Sequence, residues 1–103
     1  MDNFDIRKFI SENKRNGTYF NSFSAAADYA RESAESRGYE IDEEDWQSQI
    51  AMGGKYTRSR PGEGKTHKFS IGLLKDGKPQ RKALHIIVYG MESGSYELTH
   101  YIN

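Results

Sequence analysis

The chain has 103 residues, no cysteine and a formal net charge of zero, with 35% hydrophobic and 29% charged residues. This length suits one domain with a modest core, and the lack of cysteine excludes disulfides, thiol catalysis and thiolate metal sites. No apolar run is long enough to span a membrane and the N-terminus is acidic, so we expect no membrane partner and no secretion.

The charges are unevenly distributed along the sequence. Residues 1–54 carry 6 Lys/Arg against 11 Asp/Glu, whereas residues 55–82 carry 9 against 2. Such a basic band either contacts phosphates or neutralises the acidic first half of the same protein. Its candidate binding residues form a predicted basic loop: Lys55, Arg58, Arg60, Lys65, Lys78, Arg81 and Lys82.

The first element in sequence order is an N-terminal arm or removable leader over residues 1–16. It is a mixed-charge segment, MDNFDIRKFISEN, followed by the polar stretch NKRNGT. Residues 17–103 are predicted to form a single α+β domain.

The first helix is predicted from Ser22 to Gly38. Alanines and a phenylalanine recur at helical spacing, with charged residues around the rest of the cylinder. Ser22 is the expected N-cap and Gly38 the expected residue beyond the C-cap. The alanine stripe predicts a helix that lies close to a sheet.

A second helix is predicted from Asp42 to Met52, ending at two glycines. Asp42 can cap it, and the acidic residues that follow suit the positive end of the helix dipole. Ile41 and Trp46 occupy the hydrophobic-staple positions, so we expect Trp46 to anchor the core.

A glycine-rich and charged loop follows over residues 53–65. Its end, Gly64-Lys65-Thr66, resembles the last part of a phosphate-binding loop, but Ser59 stands where the first glycine is required. A strand, not a helix, is predicted to follow, which argues against a nucleotide site.

Alternating apolar residues predict three strands at about 66–74, 81–91 and 95–102, joined by turns at Asp76-Gly77 and at Glu92-Ser93-Gly94. The overall prediction is an α+β fold with N-terminal helices packed on one face of a three-stranded antiparallel β-meander.

The second turn sets the strand register. A three-residue loop with Gly94 in the left-handed conformation places Leu98 opposite Val88 and His100 opposite Ile86. The apolar residues then share one face, whereas a two-residue loop would scatter them over both faces. The predicted core face contains Phe69, Ile71, Leu73, Leu84, Ile86, Val88, Tyr96, Leu98 and Ile102.

The same register defines a reverse face that joins exposed aromatic rings to basic residues. Such a face stacks the bases of single-stranded nucleic acid, contacts a protein, or is covered by the N-terminal arm. The predicted binding residues on it are Lys68, His85, Ile87, Tyr89, Met91 and Tyr101, with Ser70 and Thr99 beside them.

No catalytic residues, cofactor or metal site are predicted. His67, His85 and His100 lie on three different strands, and the register points His85 away from the other two. No serine or carboxylate has a neighbour that suggests acid–base or nucleophilic chemistry.

Phe9, Ile10, Ser11 and Glu12 form an aromatic residue followed by an I-x-E tripeptide. This segment resembles the capsid-targeting leader of internal head proteins of T-even-type tailed bacteriophages, in which cleavage follows the Glu. The stretches GYEIDEEDW, GKTHKFSI, LLKDGKPQRK and YGMESGSYELTHYI likewise resemble small proteins of marine T4-like phages.

The resemblance implies packaging in the phage head, removal of the leader after Glu12 and delivery into the host. The expected location is therefore the virion interior or the host cytoplasm. We expect a non-enzymatic phage accessory protein, monomeric or dimeric, that binds a phage or host protein. The alternative is a small single-stranded nucleic-acid-binding module.

Overall fold

The structure is a computed structural model that describes residues 18–103. It is an α+β fold with two α-helices and a five-stranded antiparallel sheet of order β1-β5-β4-β3-β2. The strands are β1 (Thr18–Phe20), β2 (Glu40–Ile41), β3 (Thr66–Lys75), β4 (Lys78–Gly90) and β5 (Tyr96–Ile102). The helices are α1 (Phe23–Ser36) and α2 (Glu43–Gln49), followed by a 3-10 turn at Gly54–Tyr56.

Helix α1 begins and ends at the predicted residues. The Ser22 hydroxyl accepts a hydrogen bond from the Ala25 N–H at 3.1 Å, and Gly38 has a φ of 93°. The Gly38 and Tyr39 N–H groups donate to the carbonyls of Glu35 and Ala34, which is a Schellman motif. The alanine stripe of α1 is buried against β4 and β5, as predicted: Ala26, Ala27, Ala30 and Ala34.

Helix α2 is shorter than predicted. The Asp42 carboxylate caps it by accepting from the N–H groups of Glu44 and Asp45, as expected. It ends at Gln49, not Met52, and Ile50 is its C-cap residue. The Ile50 side chain is buried, and its carbonyl accepts a hydrogen bond from the Ser59 hydroxyl in the loop beyond. Trp46 is buried in the core, as predicted.

The predicted register between β4 and β5 is confirmed. Val88 pairs with Leu98 and Ile86 pairs with His100. Gly94 has a φ of 92°, and the Met91 N–H donates to the Ser95 carbonyl across the three-residue loop. The buried sheet residues belong to the predicted core face: Ile71, Leu73, Leu84, Ile86, Val88 and Leu98. Phe69, Tyr96 and Ile102 pack against them at the margins.

The three-stranded meander is only the centre of the sheet, which corrects the prediction. Strand β1 pairs with β5, and β2 pairs with β3, so each adds one short outer strand. They have three and two residues, which is too short for an alternating pattern to be read from sequence.

The hairpin between β3 and β4 is tighter than predicted. Asp76 and Gly77 have φ values of 52° and 76°, so they form a two-residue turn in which both central residues are left-handed. Strand β4 therefore starts at Lys78, three residues before the predicted start. Lys78, Arg81 and Lys82 lie in this strand and do not belong to the predicted basic loop.

Within residues 18–103, neither helix is long and apolar enough to cross a membrane.

Candidate binding face

The reverse face is the side of the sheet opposite the buried core face. Strand pairing arranges its side chains in three rows across β3, β4 and β5. The rows are Ser70–His85–Tyr101, Lys68–Ile87–Thr99 and Thr66–Tyr89–Glu97, and the last continues to Tyr19 on β1. The predicted residues Lys68, His85, Ile87, Tyr89 and Tyr101 are thus brought onto one surface.

The end of the reverse face nearest the last residue, Asn103, is an ordered aromatic pair. The His85 ring stacks on Tyr101 with centroids 4.8 Å apart and planes 27° from parallel. His85 Nε2 lies 3.3 Å from the Asn103 backbone oxygen, which can accept a hydrogen bond from it. Nδ1 lies 2.9 Å from the Ser70 hydroxyl, within hydrogen-bond distance. Both contacts fix the imidazole, leaving the Tyr101 ring 46% exposed beside it.

The centre of the reverse face holds a shallow depression of about 350 Å³. Ile87 and Tyr89 supply its apolar wall, while Thr66, Glu97 and Thr99 supply polar atoms. Tyr89 is 37% exposed and Tyr19 is 51% exposed. Within the described part of the protein, α1 packs on the opposite side of the sheet. The face therefore offers aromatic surface with polar groups at its margins.

The site includes three residues that the sequence reasoning did not place on this face. Thr66 lies two residues before Lys68 on β3, and Glu97 lies two residues before Thr99 on β5. Because side chains two residues apart in a strand point to the same face, the sequence was sufficient to predict both. Tyr19 carried no such signal, because β1 is too short to show a period.

Met91 lies just beyond the end of β4, not within the strand rows. It is half-buried and shares a depression with Tyr89, Glu92 and Ser93. Met91 therefore borders the reverse face at the end occupied by the β4–β5 turn.

The structure does not bring the seven predicted basic residues into one patch. Arg58, Arg60 and Lys65 precede β3, whereas Lys78, Arg81 and Lys82 follow it in β4. Lys78 lies opposite the last residue of β3, and Arg81 and Lys82 lie near Gly72, so the two groups are separated by roughly 20–30 Å at about 3.3 Å per residue. The middle of the reverse face, between them, carries Lys68 and Glu97 as its charged residues.

Lys55 differs from the other six because it belongs to the helical side of the molecule. Its ammonium forms an ion pair with Asp28 of α1 at 3.3 Å. The hydrogen bond and the charge of Asp28 raise the pKa of Lys55. Among residues 18–103 this is the one ion pair that joins the basic band to the acidic first half. Direct pairing between the two halves is therefore limited in this part of the protein.

A second concave region of about 250 Å³ lies between the two helices, and the Arg31 side chain lines it. Arg31 stacks over Trp46, 5.0 Å from the ring centroid, and donates hydrogen bonds to Glu35 and Glu43. These bonds, chiefly the one to Glu43, raise the pKa of Arg31. The arrangement joins α1 to α2 and serves the packing of the helices.

The three histidines are separated as the register predicts. The His67 ring is hydrogen-bonded to the Ser59 carbonyl, and His100 packs edge-on against Tyr29 of α1. Burial, followed by the charge of Arg37, lowers the pKa of His100. Over residues 18–103 there is no group of three His, Asp or Glu side chains that could hold a metal ion.

The predicted leader cleavage residues Ile10, Ser11 and Glu12 lie outside the described residues. Comparisons of the sequence and fold with protein-family models, with curated proteins and with solved structures find no match.

Proposed function

We propose that this protein is a non-enzymatic accessory protein of a tailed bacteriophage, packaged in the head, that acts by binding another protein through the reverse face. The observation that carries the binding proposal is the exposure of Tyr89 and Tyr101 on a sheet surface whose opposite side buries the core. The origin and the packaging are supported by the leader-like segment at Phe9–Glu12.

A protein partner suits the composition of this face. Tyrosines are enriched where proteins contact one another, because each ring contributes a large apolar area and a hydroxyl that finds a partner. Ile87 adds an aliphatic side chain between the rings, while Ser70 and Thr99 add polar groups. Lys68 and Glu97 bring opposite charges, so the face lacks the excess of cations that a phosphate backbone favours.

Site-specific photo-cross-linking tests the protein contact. A benzophenone amino acid placed at Tyr101 reports on the reverse face, and the same amino acid at Tyr29 on α1 is the matched control. Both tyrosines are 46% exposed, so exposure does not distinguish them.

With extracts of infected host cells, a discrete protein adduct is expected from position 101 and none from position 29. Equal adducts from both positions, or none from either, would contradict the proposal. An adduct of twice the mass of the protein would identify a second copy as the occupant and would contradict a distinct partner.

The leader is tested separately with the maturation protease of the phage. Incubation of the full-length protein should yield a product that begins at Asn13, and a Glu12→Ala variant should resist cleavage. An uncleaved wild-type protein would remove the support for head packaging while leaving the binding face unaffected.

The alternative function is single-stranded nucleic-acid binding on the same face. The stacked pair of His85 and Tyr101 favours it, because an exposed planar ring held in place can stack a base, and Lys68 lies in the next row. Under this alternative Tyr89→Ala and Tyr101→Ala weaken binding to a fluorescent oligonucleotide, and affinity falls as salt rises. No binding at low salt would exclude it.

A further inference from the structure

The β3–β4 hairpin carries an unusual concentration of positive charge at its tip. Residues 75–82 contain four cations against the single carboxylate of Asp76, which gives a net charge of +3. All eight of these residues are exposed. The cations are Lys75, Lys78, Arg81 and Lys82, and we call this segment the basic arm.

The basic arm extends beyond β5 on one side and is flanked by the short strand β2 on the other. Strand β5 ends opposite Leu84, and the last backbone hydrogen bonds on that side join Ala83 to Asn103. Residues 78–82 of β4 thus extend past β5 and pair with β3 alone in the described part of the protein. Beyond Gly72, β3 contributes three residues to the arm, so the arm projects by roughly 10 Å at about 3.4 Å per residue.

Within residues 18–103, the cations of the basic arm have no anionic partners. Lys75 and Lys78 stand directly opposite one another across the turn, a like-charge pair that destabilises a hairpin. Lys75 lies over the Tyr39 ring at 4.6 Å. Within residues 18–103, none of the four cations has a carboxylate within ion-pair distance, and the nearby Glu40 accepts instead from the Gly77 N–H.

A register irregularity gives β4 two more residues than β3 within the arm. Gly72 pairs with Ala83 and Leu74 pairs with Pro79, so one residue of β3 faces three of β4. Arg81 and Lys82 fall in this bulge, where the strand bends and side chains are redirected. The bulge therefore adds two adjacent cations to β4 without lengthening the basic arm.

We propose that the basic arm binds double-stranded nucleic acid by contacting its phosphate backbone. An exposed charge of +3 that forms no ion pair inside residues 18–103 complements a polyanion, and bound phosphates relieve the repulsion between Lys75 and Lys78. A duplex carries one phosphate charge per about 1.7 Å of helix axis, which matches a cluster of closely spaced cations. This inference is independent of the protein-binding function proposed for the reverse face.

The test measures the binding of the full-length protein to a fluorescent 20-base-pair DNA duplex by anisotropy. We expect three phosphate contacts, from Lys78, Arg81 and Lys82. Because the logarithm of affinity falls by about 0.9 per contact for each tenfold rise in salt, affinity should fall about 40-fold between 50 and 200 mM salt. Each single substitution by Gln should lower that slope by about one.

The decisive comparison is between two triple variants that remove the same charge. Lys78→Gln/Arg81→Gln/Lys82→Gln should weaken binding at least 10-fold at 50 mM salt. The matched control, Arg58→Gln/Arg60→Gln/Lys65→Gln at the other end of β3, should stay within threefold of wild type. Circular dichroism should show that both variants are folded, since all six side chains are exposed.

Three outcomes with the wild-type protein and the triple variants would overturn the inference. They are no duplex binding at 50 mM salt, an equal loss from both triple variants, and tighter binding to polyglutamate than to the duplex, which would indicate an acidic protein. Tyr89→Ala, made in the protein that carries the benzophenone amino acid at position 101, distinguishes this inference from the proposed function. A loss of duplex binding in that variant would also contradict a role for the arm, whereas loss of the protein cross-link alone would bear only on the proposed function.

Discussion

The Gln49 side chain and the Ser70 backbone exchange two hydrogen bonds. The Gln49 amide nitrogen donates to the Ser70 carbonyl at 2.9 Å, and its oxygen accepts from the Ser70 N–H at 3.4 Å. Two residues along β3, the Gly72 N–H donates to the Asp45 carboxylate at 2.8 Å, and its carbonyl accepts from the Asp42 N–H. Helix α2 and its N-cap thus provide hydrogen-bond partners for backbone groups at the outer edge of β3. Without such partners, an edge strand can pair with another protein.

Replacing Gln49 by Ala should expose the Ser70 peptide groups at this edge. We expect the free energy of unfolding to fall by about 1 kcal/mol, since each hydrogen bond contributes roughly 0.5–1.5 kcal/mol and the site is partly solvated. Urea denaturation measures the change. Gln47→Ala on the same helix is the matched control, because Gln47 is exposed and has no such bond. Equal losses in the two variants would show that the edge contacts contribute nothing.

Gly72 leaves room for the Asp45 carboxylate. A Cβ atom at this position would lie 3.1 Å from Asp45 Oδ2 and 3.3 Å from Asp42 Oδ2. Gly72→Ala should therefore displace the carboxylate and destabilise the protein by about 1–3 kcal/mol, although Ala is ordinarily better than Gly inside a strand. In Gly54→Ala the added Cβ meets no atom within 4 Å, so stability should change by less than about 0.5 kcal/mol. Thermal unfolding of both variants measures these changes. An unchanged stability in Gly72→Ala would contradict the predicted clash with the Asp45 carboxylate.

Gly94 supports the register of the β4–β5 hairpin through its left-handed backbone, with a φ of 92°. Gly94→Val should cost about 1–2 kcal/mol or more, because a β-branched residue is strained in this conformation. Gly94→Asn should cost less, since Asn tolerates it. The chemical denaturation midpoints of the two variants provide the measurement. If Val and Asn were equivalent, the turn would not depend on the left-handed conformation.

His100 should make stability depend on pH. Burial lowers its pKa in the folded state below the value of 6.5 that it has when exposed. The unfolded protein therefore binds the proton first, so the contribution is fully present above pH 6.5 and is lost as pH falls towards the folded pKa. Urea midpoints from pH 8 to pH 5 should decline less for His100→Gln than for wild type. Parallel curves would mean that His100 is not the group responsible.

Local signals in the sequence determined the central parts of the fold. The caps of α1 and the start of α2 depend on hydrogen bonds between residues two or three apart, so Ser22 and Asp42 were readable without tertiary information. The β4–β5 register followed from Gly94 and from the two-residue alternation, which admits only one pairing that buries the apolar residues together. The reverse face was predicted by the same alternation.

The tertiary structure decided what depends on residues distant in sequence. Strands β1 and β2 are too short to be stable alone, and they exist because β5 and β3 supply their hydrogen-bond partners. The carbonyl of Ile50, the C-cap residue of α2, accepts a hydrogen bond from Ser59, nine residues further along the chain. The basic band is continuous in sequence, yet β3 separates its two ends, because an extended strand carries the backbone far across the sheet within a few residues.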